Sequence, residues 1–325
     1  MLAECKAYLI CGCILPCHNP TMSESKFLSG IWRLADPKVS LASFAGMAMA
    51  ALFAAADNSL APGWLAITVL GIFFIEVGKN ASGEVVDFDS GTDQAVTEAD
   101  RSPFSGGKRV MVDGLLSREQ CWSIAGACFA LGIACGLLIV ALREPRVLSF
   151  GLMGVALAWY YHGGSLRLSY RGLGELAVAL AYGPLVVCGT YLVQTGGLSA
   201  PMLLASVSLG LLVAAFLVIN EFPDYRADKA SGKANLVVRL GRDRAVTLYI
   251  SMVATAYLLL VVTGLSLPRA PGMMWGLLGL VPAVFAIFRL ASSSGDTSQI
   301  IPAQAATLAS FLCMAVATGA GYYFA

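Results

Sequence analysis

The chain has 325 residues, of which 58% are hydrophobic and only 13% are charged, and its mean hydropathy is +0.75. Soluble domains usually carry about 25% charged residues, so this composition excludes a soluble globular domain and indicates an integral membrane protein. The net charge of +1 indicates nothing about partners. No sequence feature is typical of nucleic-acid binding, and the partner that the composition predicts is the lipid bilayer.

Nine apolar segments are candidates for membrane-spanning helices, because a bilayer core of ~30 Å requires about 20 helical residues. A single all-α transmembrane domain is therefore predicted at residues 39–325, after an N-terminal cytoplasmic segment at residues 1–38. One interpretation of residues 1–21 is an upstream extension, since Met22 opens a stretch typical of a cytoplasmic N-terminus. The nine segments lie at roughly 39–56, 64–80, 121–142, 147–162, 173–193, 201–220, 246–267, 272–292 and 301–324.

The Lys and Arg residues are distributed unevenly between the two sides that nine helices define. The N-terminus and the loops after the second, fourth, sixth and eighth helices hold 18 of the 21, and the other side holds only Arg143, Arg146 and Arg269. By the positive-inside rule the first side is cytoplasmic. We therefore predict a bacterial or archaeal plasma-membrane protein with a cytoplasmic N-terminus and a C-terminus on the opposite side.

The polar stretch after the sixth segment, "NEFPDYRAD" at residues 220–228, carries regularly spaced oxygen ligands. Asn220, Asp224 and Asp228 recur every four residues and therefore share one face of a helix. Two carboxylates and an amide oxygen suit Mg²⁺, a hard cation that prefers oxygen ligands. A solvated helix end with salt bridges is the alternative interpretation. Bases follow at Arg226, Lys229, Lys233 and Arg239.

A second acidic cluster follows the second segment on the same side of the membrane. Asn80, Glu84 and Asp87 are spaced by four and three residues, which again places them on one helix face. Further acids and the bases of the Gly-rich turn "SGGKR" come next, at Asp89, Asp93, Lys108 and Arg109.

Two acidic clusters that face each other repel unless cations lie between them. A pair of Mg²⁺ ions bridged by a diphosphate, with bases on its remaining oxygens, would satisfy both clusters. An apolar cavity beneath such a polar site suits one substrate class well, the isoprenyl diphosphates.

These residues resemble the UbiA-type superfamily of intramembrane prenyltransferases. That resemblance implies nine transmembrane helices around a central cavity, with aspartate-rich motifs after the second and sixth. "NEFPDYRAD" is similar to the second motif, N-x-x-x-D-x-x-x-D, at every defined position. The branch that it resembles most is the 1,4-dihydroxy-2-naphthoate prenyltransferases of menaquinone synthesis. The similar stretches are "DFDSGTD", "GGKRVMVDGLLS", "DYRADKASGKANLVVRLG" and "YYHGGSLRLSYRGLGELAVALAYGPL".

The first motif departs from the family pattern, which begins Asn-Asp and continues to a second Asp. If "DFDSGTD" is aligned on that second Asp, Gly83 and Glu84 stand where Asn-Asp is expected. If Asn80 is the motif's asparagine, Glu84 replaces the first Asp and Asp87 comes one residue early. In either alignment Glu84 and Asp87 stay candidate metal ligands.

The resemblance implies two Mg²⁺ ions, each held by two acidic residues with an asparagine in support. The predicted sets are Asp224, Asp228 and Asn220 for one ion, and Glu84, Asp87 and Asn80 for the other. Bases and tyrosines are candidates to bind the diphosphate: Lys108, Arg109, Arg167, Arg171, Tyr160 and Tyr161. The bases can equally reflect the positive-inside signal, and the tyrosines can be interfacial aromatic residues. His162 is a candidate base, although this chemistry hardly requires one.

The function implied is Mg²⁺-dependent transfer of a polyprenyl group from an isoprenyl diphosphate to an aromatic acceptor, foremost 1,4-dihydroxy-2-naphthoate. The same scaffold could instead use 4-hydroxybenzoate, homogentisate, a tetrapyrrole acid or a glycerol-phosphate ether, or act as a terpene cyclase. A cation-binding transporter would need ionisable residues inside its helices. The apolar segments almost lack them, apart from Glu76 and Lys79 near the end of the second.

Overall fold

The computed structural model describes residues 20–267, 270–293 and 295–325, and no strand occurs in these ranges. The predicted extension up to residue 19, and Arg269, lie outside them. The helices are α1 (Pro20–Ala35), α2 (Pro37–Ala56), α3 (Pro62–Asp89), α4 (Thr92–Ala95), α5 (Arg118–Leu142), α6 (Val147–His162), α7 (Gly174–Leu180), α8 (Val186–Thr195), α9 (Ala200–Ala230), α10 (Leu236–Leu240), α11 (Arg242–Ser266), α12 (Leu280–Ala291) and α13 (Thr297–Phe324).

Eight spans in the described part of the chain are long and apolar enough to cross a membrane. Two of them are composite, because a π-helical turn joins α7 to α8 and a 3₁₀ segment precedes α12. The all-helical membrane fold is thus confirmed. At the place of the predicted fourth span, α6 has only 16 residues. It rises about 24 Å, less than the hydrocarbon core, so the count of nine spans stays a prediction.

Two helices extend well beyond their predicted ends. The second span was predicted to end near residue 80, but α3 continues to Asp89, and α9 continues to Ala230 rather than residue 220. Pro223 lies inside α9 without ending it. Both acidic motifs therefore lie on regular helix and not in loops. Charged residues end the apolar run but do not end a helix, because backbone hydrogen bonding continues at the membrane surface.

The helix α9 is the most buried of the eight candidate spans and packs against α7, α11 and α13. Glycine permits a close approach of α9 to the end of α7, since a Cβ atom at Gly210 would lie 2.3 Å from the carbonyl oxygen of Ala179. On the other side of the contact, Gly183 has non-helical backbone angles next to Pro184. Small residues of this kind let transmembrane helices pack backbone to backbone.

An apolar cavity of about 320 Å³ lies between α3, α5, α6 and the α7–α8 span. Its wall includes Ile72, Gly132, Phe150, Leu157 and Val193. On α3 the lining residues run from Thr68 to Lys79, so the cavity ends one to two helical turns before Glu84, the first acid of the cluster.

The two ends of the chain are predicted to lie on opposite sides of the membrane if α6 crosses it. Alkaline phosphatase, which is active only outside the cytoplasm, should then be active when fused after Ala325 and inactive when fused to the N-terminus. A fluorescent protein that folds only in the cytoplasm should give the opposite result in cells. Two cytoplasmic ends would contradict a ninth span.

Candidate active site

The ends of α3 and α9 lie beside three connecting segments, at residues 90–117, 163–173 and 231–235. Hydrogen bonds hold the segments to the helices: the Thr92 hydroxyl donates to Ser231 Oγ (2.9 Å), and the amide of Ala234 donates to the carbonyl of Tyr170 (3.2 Å). The amide of Leu236 donates to Glu175 Oε1 at the start of α7 (2.7 Å). The site is therefore a polar cap over the bundle.

Asp87 is the acid of α3 with the most contacts. The hydroxyl of Tyr170 donates to its Oδ1 (2.6 Å), and the hydroxyl of Ser90 lies 2.8 Å from that of Tyr170. Lys233 Nζ and His162 Nε2 lie 3.6 Å and 3.9 Å from Asp87 Oδ2. Tyr170 was not among the predicted site residues.

Lys233 connects the two acidic clusters, since its Nζ lies 3.6 Å from Asp87 Oδ2 and 3.9 Å from Asp228 Oδ1. Burial opposes the positive charge, yet Asp87 and Asp228 hold the pKa of Lys233 well above its ordinary value. The sequence placed Lys233 in a basic run without separating it from its neighbours. The spacing of residues in the sequence could not predict that the chain reverses after α9 and places this lysine between the acids.

The Gly-rich turn closes over Glu84 and Asp93. The amide of Met111 donates to Glu84 Oε1 (2.8 Å), and Arg109 donates to the carbonyl oxygen of Asp93 (2.6 Å). Gly107 has a φ of +74°, and a Cβ atom there would lie 2.3 Å from Asp93 Oδ1. Burial, together with the negative charges of Asp87 and Glu84, raises the pKa of Asp93 to about 8.

On α9 the three predicted ligands have different surroundings. Asp228 is buried and its Oδ2 accepts from the amide of Asn235 (2.7 Å). Asn220 Oδ1 accepts from the amide of Gln304 (3.0 Å). Asp224 Oδ1 is buried without any hydrogen-bond partner. An acceptor oxygen left bare in this way is a position that a cation can fill.

The predicted diphosphate-binding bases are spread around the site. Lys108 Nζ pairs with Asp36 Oδ2 (3.2 Å), at the start of α2. The guanidinium of Arg167 lies 3.9 Å from the centre of the Tyr170 ring, whereas Arg171 is exposed. Arg109, besides its contact with Asp93, leaves a buried Nε without a partner.

The remaining predicted residues lie at the edge of the site. The amide of Asn80 donates to the carbonyl of Leu34 (2.8 Å), so it holds α3 against α1. Tyr161 lines the apolar cavity, with its ring centre 5.4 Å from Lys79 Nζ. Tyr160 packs beside Gly164, where a Cβ atom would lie 2.8 Å from the tyrosine ring.

Gly83 and His162 fit each other closely. A Cβ atom at Gly83 would lie 2.3 Å from His162 Nδ1, a buried nitrogen without a hydrogen-bond partner. The imidazole thus occupies the space that any side chain at position 83 would need. This fit accounts physically for a glycine at a position where one of the two alignments expects asparagine.

The donor chemistry of the site fits Mg²⁺. Within the described ranges no three Asp, Glu, His or Cys side chains form a ready-made metal cluster. Mg²⁺ usually binds one or two carboxylates and completes its shell with water and substrate phosphate, so it does not require one. Asp224 offers a bare oxygen, and opposed carboxylates meet across a single lysine.

Helical spans, a buried acidic site at one end and an apolar cavity beside it are the features of an integral membrane protein with a polar site at the membrane surface. The chain belongs to the UbiA prenyltransferase family, whose model matches residues 44–311. It is therefore a prenyltransferase.

Two curated relatives are 1,4-dihydroxy-2-naphthoate octaprenyltransferases. The protein from Mycobacterium tuberculosis is 32% identical over 69% of this chain and 72% of the relative. The one from Bacillus subtilis is 29% identical over 73% of this chain and 75% of the relative. Among solved structures, a UbiA homolog from Archaeoglobus fulgidus bound to GPP and Mg²⁺ superposes with a TM-score of 0.63, over 89% of this chain and 99% of that chain at 18% identity. That likeness shows the same fold.

The change Gly83→Ala should displace the His162 imidazole and lower stability by about 1–3 kcal/mol, partly offset by the better helix propensity of alanine. The loss should be smaller when His162→Ala is already present, because the added methyl group then has room. Thermal unfolding in detergent is measured for the unmodified protein, for each single variant and for the double variant, which together form a double-mutant cycle. Gly126→Ala on α5, where a Cβ atom has no neighbour within 4 Å, is the control. Equal losses with and without His162 would contradict the contact.

Proposed function

We propose that the chain transfers a polyprenyl group from an isoprenyl diphosphate to an aromatic acceptor, foremost 1,4-dihydroxy-2-naphthoate, in quinone synthesis. The observation that carries the proposal is the meeting of Asp87 and Asp228 across Lys233, at the end of the bundle that adjoins the apolar cavity. A diphosphate requires cations at such a site, and its prenyl tail requires the cavity.

The acids would hold the metal in two sets. Asp224 and Asp228 belong to α9, with Asn220 in support, and Glu84 and Asp87 belong to α3. When bound, Mg²⁺ would neutralise the charge that rises on the leaving diphosphate as the allylic C–O bond breaks. Two ions suit the two sets, because carboxylates on facing helices repel without cations between them.

Basic side chains would bind the remaining phosphate oxygens. Lys233 already lies between the acids, and Lys108 and Arg109 lie on the turn that closes over Glu84. Charge-assisted hydrogen bonds from such groups are shorter and stronger than neutral ones. They would hold the diphosphate in place while the allylic carbon faces the cavity.

The cavity would exclude water from the allylic cation until an electron-rich aromatic carbon attacks it. Tyr161 presents its ring at the cavity wall, where its face could stabilise positive charge. The attacked ring then loses a proton to recover aromaticity. A cyclase would use the same ionisation without an acceptor, and the assay described below separates the two.

The naphthoate acceptor is supported by the relatives from Mycobacterium tuberculosis and Bacillus subtilis, both named 1,4-dihydroxy-2-naphthoate octaprenyltransferases. The bias of Lys and Arg towards one side of the predicted spans supports a site that faces the cytoplasm, in a bacterial or archaeal plasma membrane.

The changes Asp87→Asn, Asp224→Asn and Asp228→Asn should each lower kcat for prenyl transfer roughly 100-fold or more, because each removes a charge that would hold the metal near the leaving diphosphate. The assay supplies Mg²⁺, a labelled prenyl diphosphate and 1,4-dihydroxy-2-naphthoate to the enzyme in lipid nanodiscs. Prenylated product and free diphosphate are both measured. Asp243→Asn, an exposed acid in the first turn of α11, should leave activity unchanged.

Full activity in the Asp224 and Asp228 variants would refute the metal assignment. Release of diphosphate with no consumption of any aromatic acceptor would instead favour a cyclase. Chelation of Mg²⁺ with EDTA should abolish transfer by the unmodified enzyme, and Mg²⁺ in excess should restore it.

A further inference from the structure

Two charged side chains line the wall of the otherwise uncharged cavity. Glu76 and Lys79 are three residues apart on α3, so they lie on the same face of that helix. Glu76 is only 7% exposed. The other residues of the described wall carry no charge at neutral pH.

Neither side chain has a charged partner in direct contact. Both carboxylate oxygens of Glu76 are buried without a partner of strict hydrogen-bonding geometry, although the hydroxyls of Ser40, Ser43 and Tyr182 lie close enough to stabilise its charge. In the described part of the chain no carboxylate lies within 4.0 Å of Lys79 Nζ, and the centre of the Tyr161 ring lies 5.4 Å from that nitrogen.

Burying two charges that make no direct ion pair costs several kcal/mol of stability, even where neighbouring hydroxyls stabilise one of them. A structural ion pair would bring the two groups into contact, and they are not in contact. The pair is therefore better explained by a ligand that enters the cavity.

The position of Glu76 and Lys79 along α3 places them between the acids and the deepest part of the cavity. Along α3, Lys79 lies about 12 Å and Glu76 about 16 Å before Asp87, at 1.5 Å of rise per residue. The remaining cavity residues of α3, from Thr68 to Ile75, lie farther from the acids. Glu76 and Lys79 thus stand between the polar cap and the apolar depth of the cavity, where the allylic carbon of a prenyl diphosphate would lie.

We propose that Lys79 and Glu76 form the acceptor-binding site: Lys79 binds a carboxylate on the aromatic acceptor, and Glu76 accepts a hydrogen bond from its phenolic hydroxyl. The inference rests on the proposed function and narrows its substrate class to hydroxylated aromatic carboxylic acids. The diphosphate has its own bases at the polar cap, and Lys79 is not needed there.

A site that binds a polar group strongly rejects an analogue lacking that group, because the buried partner is left unpaired. The test compares 1,4-dihydroxy-2-naphthoate with 1,4-dihydroxynaphthalene, which lacks the carboxylate. Full-length enzyme in nanodiscs carries Lys79→Met, Lys79→Arg or Glu76→Gln. Lys26→Met, an exposed lysine on α1, is the matched control.

Lys79→Met should raise KM for the carboxylated acceptor at least tenfold, while KM for the prenyl diphosphate and for the uncharged acceptor stay within twofold. Lys79→Arg should restore part of the loss, and Lys26→Met should change nothing. As a readout without turnover, the fluorescence of 1-hydroxy-2-naphthoate should report its binding to the unmodified enzyme and weaker binding to the Lys79→Met variant. Glu76→Gln should weaken binding of this ligand without affecting that of the non-hydroxylated 2-naphthoate.

Three results would overturn the inference. The first is an equal loss with both acceptors, and the second is a raised KM for the prenyl diphosphate. The third is a lower thermal unfolding midpoint for Lys79→Met, which would indicate a structural ion pair. If the unmodified enzyme prenylates neither acceptor, the proposed function fails and this inference fails with it. If the enzyme prenylates both acceptors and Lys79→Met affects them equally, the inference is refuted while the proposed function stands.

Discussion

Buried carboxylates that repel one another dominate the polar end of the bundle. Acids at the end of α3 and acids at the end of α9 approach each other through a single lysine. Lys233 lies between Asp87 and Asp228, and burial with neighbouring charges raises the pKa of Asp93 to about 8. Such an arrangement costs stability unless cations lie between the acids. The metal and diphosphate of the proposed function would relieve this repulsion on binding.

Close packing of helices in the apolar part of the bundle stabilises the fold against the repulsion among these acids. α9 is the most buried span, and Gly210 lets it approach the π-helical turn of the α7–α8 span to backbone contact. That contact lies well below the acids, in the apolar part of the bundle, where close packing stabilises the fold. Rigid packing at depth allows the polar cap above it to be unfavourable by itself, as functional sites often are.

Helix periodicity predicted much of this structure because it is a local property. The four-residue spacing of Asn220, Asp224 and Asp228 predicted one helix face, and α9 extends through all three. Contacts between segments far apart in the chain produce no local pattern in the sequence, so they could not be predicted. The turn that brings Lys233 back between the acids is one example, and the space that Gly83 leaves for His162 is another. Helix ends were placed too early for a related reason, since hydropathy reports where lipid ends and not where backbone hydrogen bonding ends.

The cavity depends both on local composition and on contacts between distant segments. Its apolar wall follows from composition, but the charges of Glu76 and Lys79 oppose it, and a sequence that favoured stability alone would replace both with apolar residues. They are retained on the helix that also carries Glu84 and Asp87, so one rigid element sets the spacing between them and the acids. Because a helix fixes that spacing at 1.5 Å per residue, α3 would hold the leaving group of the proposed reaction at a constant distance from the group that Glu76 and Lys79 bind. A constant distance of this kind would keep the two substrates of the proposed transfer in a productive orientation.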